Sequence, residues 1–414
     1  MDQMVDMSKR VNQIASEDRI PAREKFAFSV GQGSDYYGHT AITERLWLPF
    51  YNIGLGLSPA LAGMLLVAFR LVEAFASPLV GAWSDNTRSR WGRRRPWIAL
   101  GAVVSAISFP FLFLPSPAWG QTTIVAYTLV VGGIFFFAYT IWSVPFYALG
   151  LELTPNYDER TRLGAWMAFA AKLMSIPASW ILLFASGALF ISGSTGKPDI
   201  LAGLWVFSLL AAPIILLLGV LPALLIKERF ADLAPPKEEQ PSLAASFRAS
   251  ASCRPLWPLT ATSVLLIMGF SASRSVGTYV NIYYVFDGDL AAGAAMEGLK
   301  STLTLVLGVV LLPLLTKLSD RCDKRQVIIG LLVFAALGNL LNIVCLTPDR
   351  PYLQLVPALA AAGLASSVWM FFPAMKADVA DYDELQTGQR REGSLNAFYL
   401  WCFKLSLVAS AGMD

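Results

Sequence analysis

SDNTRSRWGRRRPW, Ser84 to Trp97, decides how the rest of the chain is read. Arg88, Arg90, Arg93, Arg94 and Arg95 crowd this stretch, and long apolar runs flank it on both sides. A short arginine-rich loop between two membrane spans stays in the cytoplasm, because carrying those charges across a bilayer is costly. The loop therefore orients every other span. It also gives a depth reference for the charges inside them.

Working outward, the 414 residues are 55% hydrophobic and 15% charged, with a mean hydropathy of +0.54. Soluble domains carry roughly 25% charged residues. Eleven apolar segments can be read, each near the ~20 residues that cross a bilayer as a helix. The first runs from about Phe26 to Trp47 and the second from Ser58 to Trp83. The third follows Trp97, the fourth ends near Leu149, the fifth starts after Arg162 and the sixth ends near Ile226. The seventh spans Trp257 to Phe286, and the eighth ends near Lys317. The last three begin near Val327, Tyr352 and Leu395. The chain stops at Asp414, inside the eleventh segment, so a truncated chain lacking a twelfth span is expected.

Arg160, Arg162, Lys227, Arg229, Arg254, Arg321, Lys324, Arg325, Arg390 and Arg391 all fall on the side of the arginine loop, and the opposite loops hold few basic residues. This places the N-terminus in the cytoplasm of a multi-pass protein of the cell's inner (plasma) membrane. The expected domains are a cytoplasmic tail at 1–25, a six-helix bundle at 26–226, a cytoplasmic linker at 227–256 and an incomplete second bundle at 257–414. The net charge of +3 is spread through loops, which gives no nucleic-acid signal. Cys253, Cys322, Cys345 and Cys402 are scattered, so neither a metal site nor a disulfide framework is suggested. No nucleophile–base pair or phosphate loop points to an enzyme, and no cofactor is expected.

The two halves repeat. The loop after the second span, with Asp85, Arg93 and Arg94, has a counterpart in LSDRCDKRQ, with Asp320, Arg321, Lys324 and Arg325. FAAKLMS in the fifth span matches WCFKLSL in the eleventh, and WSVPF in the fourth matches WMFFP in the tenth. An all-α integral membrane protein of two six-helix pseudo-repeats follows, the plan of the major facilitator fold. The paired acidic–basic loops suggest a conformational staple that holds neighbouring helix ends in one state and releases them in another.

Ionisable groups inside spans each cost at least ~2.5–3.5 kcal/mol at mid-bilayer, so they carry the functional reading. At 1.5 Å of rise per residue, Asp35, Glu73, Lys172 and Lys404 all sit roughly 15 Å deep. A wet cavity at one level is the expectation, with Asp35, Tyr36, His39, Trp142, Ser143, Lys172, Arg274, Trp369 and Lys404 as candidate solute contacts. Each has a plainer alternative. Glu73 is one turn from Arg70 and could be a structural ion pair. His39, the lone histidine, reads better as a packing residue than as a proton carrier. Trp142 and Trp369 could stack a sugar ring or simply fill the core.

RLVEAFASPLVGAWSDNTRSRWGRRRPW (Arg70–Trp97), YTIWSVPFYAL (Tyr139–Leu149) and Lys404 resemble the glycoside–pentoside–hexuronide:cation symporters, the melibiose permease family of the major facilitator superfamily. The resemblance implies alternating-access transport of a sugar-like solute across the bilayer by a monomer, driven by a proton or sodium ion. It also implies a coupling site of Glu73, Ser77 and Thr140. Where sodium-coupled members carry a second carboxylate in helix 2 this chain has Ser77, and where they carry a sugar-binding aspartate in helix 4 it has Ser143. One carboxylate offers half the charge a sodium shell uses, whereas a single desolvated carboxylate can take a proton. Proton coupling through Glu73 is therefore favoured over sodium. The rivals are a lipid or lysolipid carrier of the same fold, an uncoupled facilitator and a non-transporting sensor.

Overall fold

The structure is a computed structural model that describes residues 19–154, 156–192, 196, 198–228, 248, 250–319, 321–388 and 392–411. Among these the regular secondary structure is helical, apart from one isolated bridge, Ile191 to Pro198. Helix α1 is Ala22–Asp35, continued by three π-helical segments, Tyr36–Thr40, Ile42–Leu46 and Pro49–Gly54. Then come α2 (Pro59–Asn86), α3 (Arg95–Phe111), α4 (Gln121–Glu152), α5 (Tyr157–Ala178) and α6 (Ile200–Leu225). The second half supplies α7 (Leu256–Tyr279, with a π segment Val280–Val285), α8 (Leu290–Ser319) and α9 (Lys324–Leu340). It ends with α10 (Ala362–Thr387) and α11 (Glu392–Ala411). Among the described residues eight helices are long and apolar enough to cross a membrane, and α3 is a shorter apolar helix.

The described chain forms two compact units that do not follow the sequence halves. One is Met1–Leu46, Phe69–Ser175 and Trp205–Pro236; the other is Trp47–Ala68, Ile176–Leu204 and Lys237–Asp414. The second unit thus takes in the far ends of α1 and α2 and the connection from α5 to α6. Specific bonds account for this. Tyr279 on α7 donates to Asn52 Oδ1 at 2.5 Å, and the Trp180 indole N–H donates to Thr302 on α8 at 3.1 Å.

In the first unit α3 and α4 pack closely, because Gly101 faces the Trp142 backbone. A Cβ at Gly101 would lie 2.4 Å from Trp142 N. The arginine loop closes the same unit. Arg94 Nη2 lies 3.1 Å from Asp85 Oδ1 at the end of α2 and 2.6 Å from Glu152 Oε1 at the end of α4. Arg93 Nη2 reaches the same Glu152 oxygen at 2.6 Å. Glu228, just past α6, accepts the backbone N–H groups of Arg93, Arg94 and Arg95 at 2.7, 2.9 and 3.0 Å. These are donors a helix start leaves free, and an anion there is favoured. Gly92 turns the loop at φ +104°, a conformation that suits glycine, and a Cβ there would strike the Glu228 carboxylate. The repeat of this loop looks different: Arg321 and Arg325 are exposed, and Asp320 lies outside the described residues. Lys324 opens α9.

At the start of α1, Glu159 is buried (1% exposed) with Lys25 Nζ at 2.6 Å, Arg162 Nη1 at 3.0 Å and the Ile20 N–H at 3.2 Å. Burial pushes its carboxyl up, but the bonds from Lys25, Ile20 and Arg162 outweigh this and hold it below the usual range. The folded value is thus lower than the unfolded one. The contribution to stability is present above the unfolded carboxylate range and is lost as pH falls through the folded value. Glu159→Gln should lower stability by about 1–3 kcal/mol near neutral pH, and thermal melts should show the gap to the wild type closing on acidification. Gly101→Ala should cost about 1–3 kcal/mol through overpacking, read by the same melts at any pH.

Candidate functional site

The first unit gathers its buried polar groups where α1 changes from α to π geometry. Asp35 is the last α-helical residue before Tyr36–Thr40. A π segment closes i→i+5 bonds, is rare, and is frequently found at functional sites. Asp35 is 9% exposed. One carboxylate oxygen accepts the Tyr139 hydroxyl from α4 in a short bond; the other accepts Tyr147 Oη at 3.2 Å and Gln32 Nε2 at 3.1 Å. Gln32 Nε2 also donates to Tyr147 Oη at 2.9 Å. Neutral hydroxyl and amide donors thus satisfy both oxygens of this buried carboxyl.

One turn along, His39 lies with its ring flat against Tyr139, centroids 4.1 Å apart and planes at 8°. His39 Nε2 is 2.8 Å from Glu73 Oε1 and 3.0 Å from Arg70 Nη1 on α2. Arg70 Nη1 also donates to Glu73 Oε2 at 3.2 Å. Asp35, Tyr139, His39, Glu73 and Arg70 therefore form one linked group across α1, α2 and α4.

The structure corrects several expectations from the sequence. His39 is a member of this group rather than a plain packing residue. Ser77 and Thr140 do not turn their hydroxyls to Glu73: Ser77 Oγ donates to the Glu73 carbonyl at 2.6 Å, and Thr140 Oγ1 to the Phe136 carbonyl at 2.9 Å. Hydroxyls inside a helix find the preceding turn's carbonyls, which removes them as an obvious cation shell here. Trp142 is 2% exposed, its indole N–H bonds the Gly219 carbonyl at 3.0 Å, and its ring stacks on Phe146. So enclosed, it packs α4 against α6 and offers no face to a solute. Ser143 is buried near it on α4, and Tyr36 is half-buried beside Tyr37. Lys172 is half-buried on α5, without an ion pair among the described residues.

Arg274 is exposed on α7 of the second unit; Trp369 lies on α10 and Lys404 on α11. Asn281 is fully buried there, donating to the Gly293 carbonyl at 3.0 Å and to Glu297 at 3.2 Å, and accepting from Gln354 at 3.1 Å. Sequence reasoning missed Lys376 on α10. Its ammonium donates to Asn396 at 2.9 Å and lies 4.6 Å over the Tyr399 ring, and Tyr399 shares a 2.8 Å hydrogen bond with Ser263 on α7. It also missed Gln32, Tyr139 and Tyr147. The spacing of Gln32 three residues before Asp35 was the one local signal.

Residues 36–413 match the family described as MFS/sugar transport protein. The chain is 27% identical to the uncharacterized symporter YnaJ of Bacillus subtilis over 94% of its own length and 81% of that protein. It is 26% identical to the isoprimeverose transporter of Lactiplantibacillus pentosus, over 95% of its length and 79% of the relative. A crystal structure of a D-xylose–proton symporter superposes with a TM-score of 0.61 at 15% identity, covering 94% of this chain and 89% of the other. These matches identify the chain as a member of the MFS/sugar transport protein family, a membrane transporter of the major facilitator fold and not an enzyme.

Proposed function

We propose that this transporter moves a sugar-like solute by alternating access and that a proton, rather than sodium, drives it through Glu73. The observation that carries the reading is the Arg70–His39–Glu73 contact set. Both Glu73 oxygens lie beside nitrogen groups, at 2.8 Å (His39) and 3.2 Å (Arg70). A sodium ion needs a compact shell of oxygens and unopposed negative charge, and a guanidinium at this distance opposes both. A proton needs only one acceptor.

Asp35 is the proposed solute anchor. Its donors, Tyr139, Tyr147 and Gln32, can be exchanged for sugar hydroxyls, which make the same kind of bond. Tyr36, Ser143 and Lys172 are further candidates in this unit, and Arg274, Trp369 and Lys404 in the other. Asp85, Arg93, Arg94 and Glu152 act as the releasable staple, with Arg321, Lys324, Arg325 and Asp320 as its proposed repeat. The arginine end faces the cytoplasm of the inner membrane, and the chain works as a monomer. The relatives' names, isoprimeverose transporter and D-xylose–proton symporter, support a sugar and a proton.

In proteoliposomes given isoprimeverose, Glu73→Gln should abolish uphill accumulation while leaving counterflow exchange intact. Uphill uptake surviving in that variant, or a wild type driven by a sodium gradient alone, would overturn the proton reading. Asp35→Asn should weaken solute binding at least about tenfold, since hydrogen bonds to a charged group are worth ~1.5–3 kcal/mol. A thermal-shift screen of pentosides and uronates reads that loss directly.

A further inference from the structure

Resting on the reading of Glu73 as the coupling carboxylate, we propose that His39 is its partner in holding the proton, and that the proton and Arg70 compete for one atom, His39 Nε2. An imidazole nitrogen has a single in-plane position, filled either by a proton or by a lone pair. Arg70 is donor-only, so a hydrogen bond along its 3.0 Å contact with Nε2 uses the lone pair. That assigns the ring proton to Nδ1. Glu73 Oε1 then lies 2.8 Å from a second acceptor. It is buried, and with the ring proton on Nδ1 it has no donor among the described residues. Two acceptors this close are held apart in energy until one proton lies between them.

A proton arriving from solvent resolves the conflict. It bonds to Nε2 and bridges to Glu73 Oε1, or bonds to Oε1 and bridges to Nε2. Either way the Nε2 lone pair is used. Arg70 must leave His39 and keep only Glu73 Oε2, where it already sits at 3.2 Å. No other bond is made or broken. Proton entry is thus written into a side-chain movement, which a lone buried carboxylate could not do.

The groups facing the imidazole are few. Arg70 and Glu73 come from α2. Tyr139 from α4 lies flat on the ring, and its hydroxyl donates to Asp35. Phe136 meets the ring edge-on, centroids 5.7 Å apart. Tyr139 is therefore a positioning residue that joins the proton pair to the proposed solute anchor. The same chemistry excludes a metal cation at this point, because the guanidinium occupies the approach to both Nε2 and Oε2.

The chain contains one histidine, so nitrogen-15 histidine labelling of the full-length protein in lipid nanodiscs, with a histidine-free affinity tag, reports His39 alone. At alkaline pH the wild-type spectrum should show Nε2 bare and Nδ1 protonated, with acidification adding the second ring proton. Arg70→Met should invert the tautomer, since Glu73 then captures Nε2–H. Glu73→Gln should remove the shared-proton step, so that the titration no longer overlays the wild type. A tautomer mixture like that of free imidazole in the wild type, or Nε2 already protonated at alkaline pH, overturns the proposal, and that measurement needs no variant to fold. A Glu73→Gln titration that overlays the wild type also overturns it. The spectrum is read without solute, so its failure is distinct from a failure of the uptake experiment.

Discussion

An ionised side chain inside an apolar helix must find its partners within the bundle, because the lipid supplies none. This constraint explains more of the first unit than apolar packing does. α4 brings Tyr139 and Tyr147 to Asp35, and Glu73 meets Arg70 from its own helix and His39 from the continuation of α1. Together these contacts fix the register of α1 against α2 and α4. An unbroken α-helix was one way to build α1. The π segments from Tyr36 onward give a wider turn at the very residues that must reach two different neighbours.

The same constraint is met by other means at the arginine end. There Glu152 joins Arg93 and Arg94, Asp85 adds to Arg94, and Glu228 takes three backbone donors. Arginine suits this work because its planar fork can serve two carboxylates at once, which a lysine ammonium does with less directional control. Topology and architecture thus use one set of residues. The charges that keep the loop out of the bilayer also tie the ends of α2 and α4 to the loop, and Arg95 bonds the Ala223 carbonyl of α6.

The all-helical, multi-pass membrane character was legible because it is a local property, the length and apolarity of successive segments. Pairing was not. Asp35 and Tyr139 are separated by 104 positions, and nothing in either neighbourhood names the other. His39 read as a packing residue because its partners, Arg70 and Glu73, lie on another helix, where they looked like a self-contained i,i+3 pair. Trp142 read either as a sugar platform or as core filling, and its burial with the indole bond to the Gly219 carbonyl puts it in the core. Glu228 sat in a mixed-charge stretch that read as linker, and its use as a helix cap depends on where α6 ends.

The two ends of the helices are held by bonds of different strength, and this bears on how the fold can move. At the arginine end the ties are between charged groups, worth ~1.5–3 kcal/mol each. In the second unit, the far ends of α1 and α5 meet α7 and α8 through neutral bonds, Asn52 to Tyr279 and Trp180 to Thr302, worth ~0.5–1.5 kcal/mol each. A neutral bond also leaves no isolated charge behind when it breaks, so its loss carries no large desolvation penalty. Separation at the far end therefore costs less per contact than at the arginine end. The π segments Pro49–Gly54 and Val280–Val285 belong to that second unit, and there a change from i→i+5 to i→i+4 bonding turns a helix without unfolding it.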